Sequence, residues 1–404
     1  MSRNIVFYLH VHQPSRVQPY SVFDTGWRHD YFSQHDSGAR TNNETIFRKV
    51  AHKSYWPMTH KLAELLDHYP EFVCNLSITG TFIEQCEQWD PELLQQFQRL
   101  VATGRVEIIA ETYYHSLAFF YSRFEFEKQV LMHREKIQQV FGVTPHVFRN
   151  TELSYNDELG AWAESAGYKG ILAEGWDPIL GYRSPNYVYR PKNTHYTKLL
   201  LKNYRLSDDM AFRFSNREWK EWPLTAEKYK AWIDATPEEP VINLFMDFET
   251  FGEHQWEDTG IFDFFETFVK YWLSDPRNAF LTASSACERF ESVDEVSMPQ
   301  TVTWADSERD LSAWTGNRMQ TEALGYVYAM ENDIVRSGDN ALITSWRHLQ
   351  TSDHFYYMCT KWFTDGDVHA YFSPYESPYD AFLYYLNVMR DVHYRINEHR
   401  KAVL

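Results

Sequence analysis

Two acidic residues in different parts of the chain carry the strongest chemical signal. Glu152 in FRNTELSYND and Asp247 in LFMDFETFGEH each stand just past a short apolar run. Cleaving a glycosidic bond takes two carboxyl groups, one facing the oxocarbenium-like carbon and one protonating the leaving oxygen. Their neighbours suggest how the two are tuned apart. Arg149 would keep Glu152 ionised, while Met246, Phe248 and Phe251 would desolvate Asp247 and keep it protonated. Glu249, two residues beyond Asp247, rivals it for the acid role if the strand persists that far. Glu253 and His254 open the following loop.

His10 and His12 flank Val11, and a strand's period of two turns both imidazoles to one face. This pair has two chemical readings. It binds a divalent ion in a metal-dependent deacetylase or amidohydrolase, with His115, His254 or His354 as further ligands, or it joins Gln13 in hydrogen-bonding sugar hydroxyls. Glu111 and His115 in AETYYHSL, Glu84 in TGTFIEQ and Asp353-His354 in TSDHFYYM complete a polar ring. WADSERDLSAWTGN, with Trp304, Asp306, Glu308, Arg309, Asp310 and Trp314, either brings rings and charges to the edge of the site or docks a following helical domain. Each of these side chains also has a purely structural reading as an ion pair, cap or satisfied core group.

The elements that must position these residues are legible as short β-branched runs ending in polar residues. They are 5–9 before His10, 72–78 before Thr79, 106–109 before Glu111, 147–148 before Glu152, 170–173 before Glu174, 199–201, 241–246 before Asp247, and 280–283. Helical segments lie between them. Asp90-Pro91 starts one, with an N-cap carboxylate and a first-turn proline, and others span 156–166 and 260–273. Strands alternating with helices predict parallel βαβ units closing into a barrel, whose strand C-termini carry the active face. Past residue 290 strand signals fade, and 317–349 and 377–399 read as long helices. The stretch 176–222 reads as an excursion carrying one strand near 198–204.

The bulk composition restricts the partners. A chain of 404 residues has room for a large barrel and an appended domain. Its net charge of −17 disfavours nucleic acid and anionic membranes, so a neutral or cationic substrate is expected. Aromatics at 17% suit sugar faces as well as cores. Cys74, Cys86, Cys287 and Cys359 form no CxxC pair, which predicts reduced thiols. With no long apolar stretch and no signal-peptide pattern at the start, a cytoplasmic location is expected.

HVHQP, GTFIEQ, FRNTELSYND, MDFETFGEH and TSDHFYYM resemble, in order and spacing, the five motif regions of glycoside hydrolase family 57, and ADSERDLSAWTGN is similar to its α-amylase branch. The resemblance implies an incomplete seven-stranded (β/α) barrel over 1–290 and a C-terminal helical bundle over 291–404 that contributes to the cleft. It implies a retaining, metal-free and cofactor-free attack on α-1,4-glucans, with Glu152 as nucleophile and Asp247 as acid/base. By the same likeness His10, His12, Gln13, Glu84, His254, Trp304 and Asp353 line the sugar subsite or its rim; Glu111, His115 and Arg149 are placed with them as substrate-binding candidates. A 4-α-glucanotransferase on the same site is the alternative, because hydrolysis and transfer differ only in whether water or a sugar hydroxyl reaches the glycosyl enzyme. Oligomeric state is left open.

Overall fold

The computed structural model describes residues 3–33, 35–236, 239–361 and 373–403. Its strands are β1 (Arg3–Val11), β2 (Cys74–Ile78), β3 (Val106–Ile108), β4 (Val147–Arg149), β5 (Gly170–Glu174), β6 (Arg190–Pro191), β7 (Lys198–Lys202), β8 (Val241–Asp247), β9 (Asn278–Phe280) and β10 (Glu295–Val296). Every residue of β1, β2 and β5 is buried; β1 and β5 carry near-continuous apolar runs, while β2 alternates and buries Asn75 against the Phe7 carbonyl and Ser77 against the Tyr8 hydroxyl.

All the pairings among the major strands are parallel, in the orders β3-β2-β1-β8 and β4-β5-β7. Two thin seams join the halves. Ala110 bridges β3 to β4, with Ala110 N donating to Val147 O at 2.8 Å and Arg149 N to Ala110 O at 2.8 Å. Asn203 and Asn243 bridge β7 to β8, through Asn203 N to Asn243 O at 2.9 Å and Asn243 Nδ2 to Leu201 O at 2.8 Å. Among the described residues this is an incomplete (β/α) barrel of seven strands, as expected, with β9 alongside the first residues of β1, below the point where β2 joins.

The helix starts follow the sequence signals. Asp90 accepts from Leu93 N at 3.1 Å and Pro91 opens the helix Pro91–Ala102. Asn156 caps Asp157–Ser165, and Ile261–Leu273 begins after Gly260. Two expectations need correction. The run at 280–283 is a strand only to Phe280, because Thr282 caps a new helix, Ala283–Arg289. The span 317–349 is three helices, Arg318–Ala329, Glu331–Ser337 and Asn340–His348, because Gly338 takes a left-handed φ of 66° and Asp339 then caps a fresh start. The last expected helix is continuous, Pro378–Val403.

One apolar cluster joins Phe148, Ile171 and Leu199 of the β4–β7 half to Trp314, Leu324, Trp346 and Met389 of the helical region. The later helices thus share one apolar layer with these strands. No helix among the described residues is long and apolar enough to cross a membrane.

Candidate active site

The strand C-termini converge on a cavity of about 790 Å³. The β1–β8 register sets His10 beside Asp247. From the sequence-predicted set, His10, His12, Gln13 and His115 line the cavity on the β1 and β3 side, Glu152 and Trp304 after β4, Asp247 and His254 after β8, and Asp353 from the helical region.

Glu152 sits in a tight turn after β4 with a left-handed backbone, φ 60° and ψ 28°. That conformation costs a non-glycine residue about 1–3 kcal/mol, and persists only where contacts hold it. Here the Trp304 backbone N donates to Glu152 O at 3.2 Å. The carboxylate takes the Trp304 indole N–H on Oε2 at 2.8 Å, and on Oε1 His115 Nε2 at 3.1 Å and the Ser352 hydroxyl at 3.1 Å. Burial alone would push this carboxyl up. The His115 hydrogen bond and charge, then the Arg149 charge, outweigh it and hold Glu152 below the usual carboxylate range.

Behind this group lies a buried charge layer. Glu111 Oε2 meets His10 Nε2 at 3.2 Å, His115 Nδ1 at 3.4 Å and Arg149 Nη1 at 3.6 Å. Burial works against a charged His115, but hydrogen bonds to Glu111 and Glu152 prevail and raise it to about 9. With both nitrogens protonated, His115 donates to a carboxylate at each end. Two expectations change accordingly. Arg149, fully buried, reaches Glu111 and the Trp304 ring, so the cation touching Glu152 is His115. Glu111 is likewise sealed beneath the histidines, and neither it nor Arg149 lines the cavity.

Asp247 Oδ1 lies 3.6 Å from His10 Nδ1, with its side chain about a third exposed (34%) to the cavity. Burial raises its proton affinity, but His10, His254 and Arg149 together leave it below the ordinary value. The apolar neighbours therefore do not keep it protonated. Phe248 and Phe251 turn into the hydrophobic core.

A family model described as glycosyl hydrolase family 57 matches residues 6–299. The chain belongs to this family. It is therefore a glycoside hydrolase, and the deacetylase or amidohydrolase reading of His10 and His12 gives way. A Methanocaldococcus jannaschii protein with the provisional name alpha-amylase is 42% identical over 367 residues, covering 88% of this chain and 78% of the relative. A family 57 branching enzyme of Thermococcus kodakaraensis superposes with a TM-score of 0.66 at 13% identity, covering 89% of this chain and 86% of its own. The 4-alpha-glucanotransferase of Thermococcus litoralis gives 0.59 at 17% identity; 89% of this chain is covered, which spans about half (51%) of that protein. At such identities the two structures speak for the fold alone.

Among the carboxyls that line the cavity of this family 57 hydrolase, Glu249 is the one pushed above its ordinary value. The strand ends at Asp247, yet the turn after it still brings Glu249 to the cavity wall. Burial, reinforced by the Asp247 charge, pushes it up to about 8, and the Tyr55 hydroxyl donates to its Oε1 at 2.5 Å. Because the folded value is raised, this group favours the fold below the unfolded value near 4.5, and that contribution is lost as pH rises through 8. Glu249→Gln keeps an acceptor for Tyr55 and removes the titration. Thermal unfolding should find this variant more stable than the wild type at pH 7–8, by about 3 kcal/mol, with the gap closing toward pH 4. An equal gap at both pH values would refute the assignment.

The remaining predicted residues separate by location. His12 and Asp353 pair across the cavity, Nε2 to Oδ2 at 3.0 Å, while His12 Nδ1 meets the Thr79 hydroxyl at 3.0 Å. Burial and the neighbouring His115 charge push His12 down to about 4, so it is neutral. The three imidazoles stack, His10 on His115 at 4.7 Å and His12 on His115 at 4.3 Å. Two sets, His10–Glu111–His115 and His12–His115–Asp353, have donor atoms within 4.8 Å of one another. The spacing would admit a cation, yet each set is already a hydrogen-bonded imidazole–carboxylate group.

Glu84 is the predicted contact that falls elsewhere. The helix Gly80–Trp89 carries it to a separate pocket of about 260 Å³, where it binds Tyr113 and His348. Sequence reasoning missed Ser352, Tyr55, Lys202 and Asp208. Ser352 directly precedes the predicted Asp353, and Lys202 ends β7 as His10 nears the end of β1, so strand-end position was the available signal.

Proposed function

We propose that this hydrolase cleaves α-1,4-glucosidic bonds of starch, glycogen or maltodextrins with retention of configuration, using Glu152 as nucleophile and Asp247 as general acid/base. The observation that carries the reading is an ionised Glu152, held by three donors, sharing one cavity with the half-open carboxyl of Asp247. The likeness to a relative named for alpha-amylase activity supports the glucan class.

A sugar ring entering the cavity strips the water from Asp247. The lost solvation raises its proton affinity, so the acid form is generated by substrate rather than stored in the free enzyme. Glu249 holds a proton close by, and the two carboxyls titrate as a coupled pair. Protonated Asp247 then donates to the leaving oxygen while Glu152 attacks the anomeric carbon. Asp247, now a carboxylate, draws a proton from the water that releases the sugar.

His10, His12, Gln13, His254 and Asp353 supply hydroxyl contacts in this reading and Trp304 an indole face. A division into a catalytic barrel over 1–290 and a helical domain over 291–404 is supported by the change from strands to helices past residue 296 and by the short helix Ser352–Tyr356, which reaches the cleft through Asp353. A cytoplasmic location is supported by four free, buried cysteines, and a neutral substrate without nucleic acid or membrane by the net charge of −17.

Proton NMR of maltoheptaose digestion tests the proposal. The α-anomer should form first and convert slowly to the equilibrium mixture; first-formed β-anomer would refute retention. Maltotriose separates the two family activities. Glucose and maltose alone mean hydrolysis, whereas longer oligomers without matching new reducing ends mean transfer.

A further inference from the structure

A buried ion quartet borders the cavity at the ends of β5 and β7, where Lys202, Asp208 and Arg309 line it, and no step of the reaction uses it. Lys202 Nζ lies 3.0 Å from Asp208 Oδ1 and 3.7 Å from Glu174 Oε2, and Arg309 meets the same two carboxylates at 3.2 Å and 3.0 Å. Side-chain exposures are 0% for Glu174, 4% for Lys202 and 12% for the other two. Burying four charges costs several kcal/mol per ion before the pairing is counted, so such a cluster is weak as a source of stability. Its placement offers a better reason for it.

Arg309 Nη1 also donates to the Trp304 carbonyl at 2.5 Å, and Thr303 N donates back to Arg309 O at 2.9 Å. The quartet thereby anchors the segment whose indole binds Glu152. Lys202 Nζ sits 5.5 Å from the centre of the Trp304 ring, and the Arg149 guanidinium carbon 5.2 Å from it. Arg149 Nε and Nη2 have no hydrogen-bond partner, so its charge is only partly compensated. Cations at this range are attracted to an indole face, at about 0.5–2 kcal/mol depending on desolvation. They draw electron density from the ring and make its N–H a stronger donor.

We propose that Glu174, Lys202, Asp208 and Arg309 form a positioning unit that holds the Trp304 indole against Glu152, and that the Lys202 and Arg149 cations act through this indole to stabilise the nucleophile's carboxylate. The proposal rests on Glu152 being the nucleophile. A stronger N–H on Oε2 stabilises Glu152 as it departs from the glycosyl enzyme, where its negative charge is restored. The other groups facing Glu152 are His115, Asp353 and Tyr356. His115 hydrogen-bonds it from the β3 side, Asp353 and Tyr356 act on it by charge from the helical region, and none of the three is changed by substitution at position 202.

The test is a double-mutant cycle read on the pH dependence of kcat/KM for maltoheptaose. Lys202→Met should lower kcat about tenfold, through slower release of the glycosyl enzyme, and move the acidic limb of kcat/KM upward by about half a pH unit. Lys202→Arg, which keeps the charge, should restore the limb and exclude misfolding as the cause. In a Trp304→Phe background the Lys202→Met effect on the limb should vanish, because the path through the indole is gone. A limb shift of equal size in both backgrounds would mean a direct charge effect and overturn the proposal. So would a change confined to KM, which would make Lys202 a substrate contact, or an unchanged limb. Azide rescue of Glu152→Ala reports separately on the nucleophile, so failure of that reading is distinguishable from failure of this one.

Discussion

Glu152→Gln should lose about 10⁴-fold or more in kcat/KM on maltoheptaose, the scale found when an essential nucleophile is removed. The substitution is isosteric, and the Gln oxygen can still accept one of the two ring N–H donors. Its amide nitrogen then faces the other, Trp304 Nε1 or His115 Nε2, so a modest loss of thermal stability should accompany the loss of turnover. Losing one carboxylate partner also lowers His115 from about 9 toward its ordinary value of 6.5, so the stability that the wild type loses as pH rises from 6.5 through 9 should be smaller in the variant, and the loss should end at a lower pH. Glu152→Ala opens space for a small anion. Azide should restore turnover and yield a β-glucosyl azide, because the anion enters from the face that Glu152 occupied. Near-normal activity in the Gln variant, or azide rescue giving the α-product, would remove Glu152 from the mechanism.

The fold was largely readable because parallel strands buried on both faces are mostly apolar, and several of these runs ended at a polar residue facing the cavity. His10, Glu152 and Asp247 were found this way. What the sequence could not convey was depth. Glu111 and Arg149 follow or end strands in the same manner, but one sits beneath the imidazole stack and the other turns toward Trp304, and neither fact is encoded by period or spacing. Glu84 was misplaced for a related reason. Thr79 caps a helix at once, so Glu84 projects more than a turn along it, away from the strand end that marks the cavity. Neighbour-based pKa reasoning failed at Asp247 because Phe248 and Phe251 pack into the core. The groups that tune Asp247 are His10 across the β1–β8 register and His254 on the next loop. The quartet around Lys202 draws on β5, β7, the helix after it and Arg309, which no local pattern connects.

Asp247→Asn should separate substrates by how much their leaving groups need a proton. On maltoheptaose the leaving sugar hydroxyl is a poor leaving group, and losing the general acid should cost about 10²–10⁴-fold in kcat/KM. On α-maltosyl fluoride the departing fluoride needs no proton, so single-turnover fluoride release should stay near the wild-type rate, while steady-state turnover falls because water is no longer activated. This contrast tests Asp247 against Glu249. Glu249 holds a proton near neutral pH and looks the better acid by that measure alone, but its side chain is anchored to Tyr55 and buried, whereas Asp247 presents an open carboxyl to the cavity. If position decides, Glu249→Gln should lose far less on maltoheptaose and show no difference between the two substrates. If Glu249→Gln instead gives the leaving-group-dependent loss and Asp247→Asn reduces both substrates equally, the roles are exchanged, and the proton resident in the free enzyme is the one transferred.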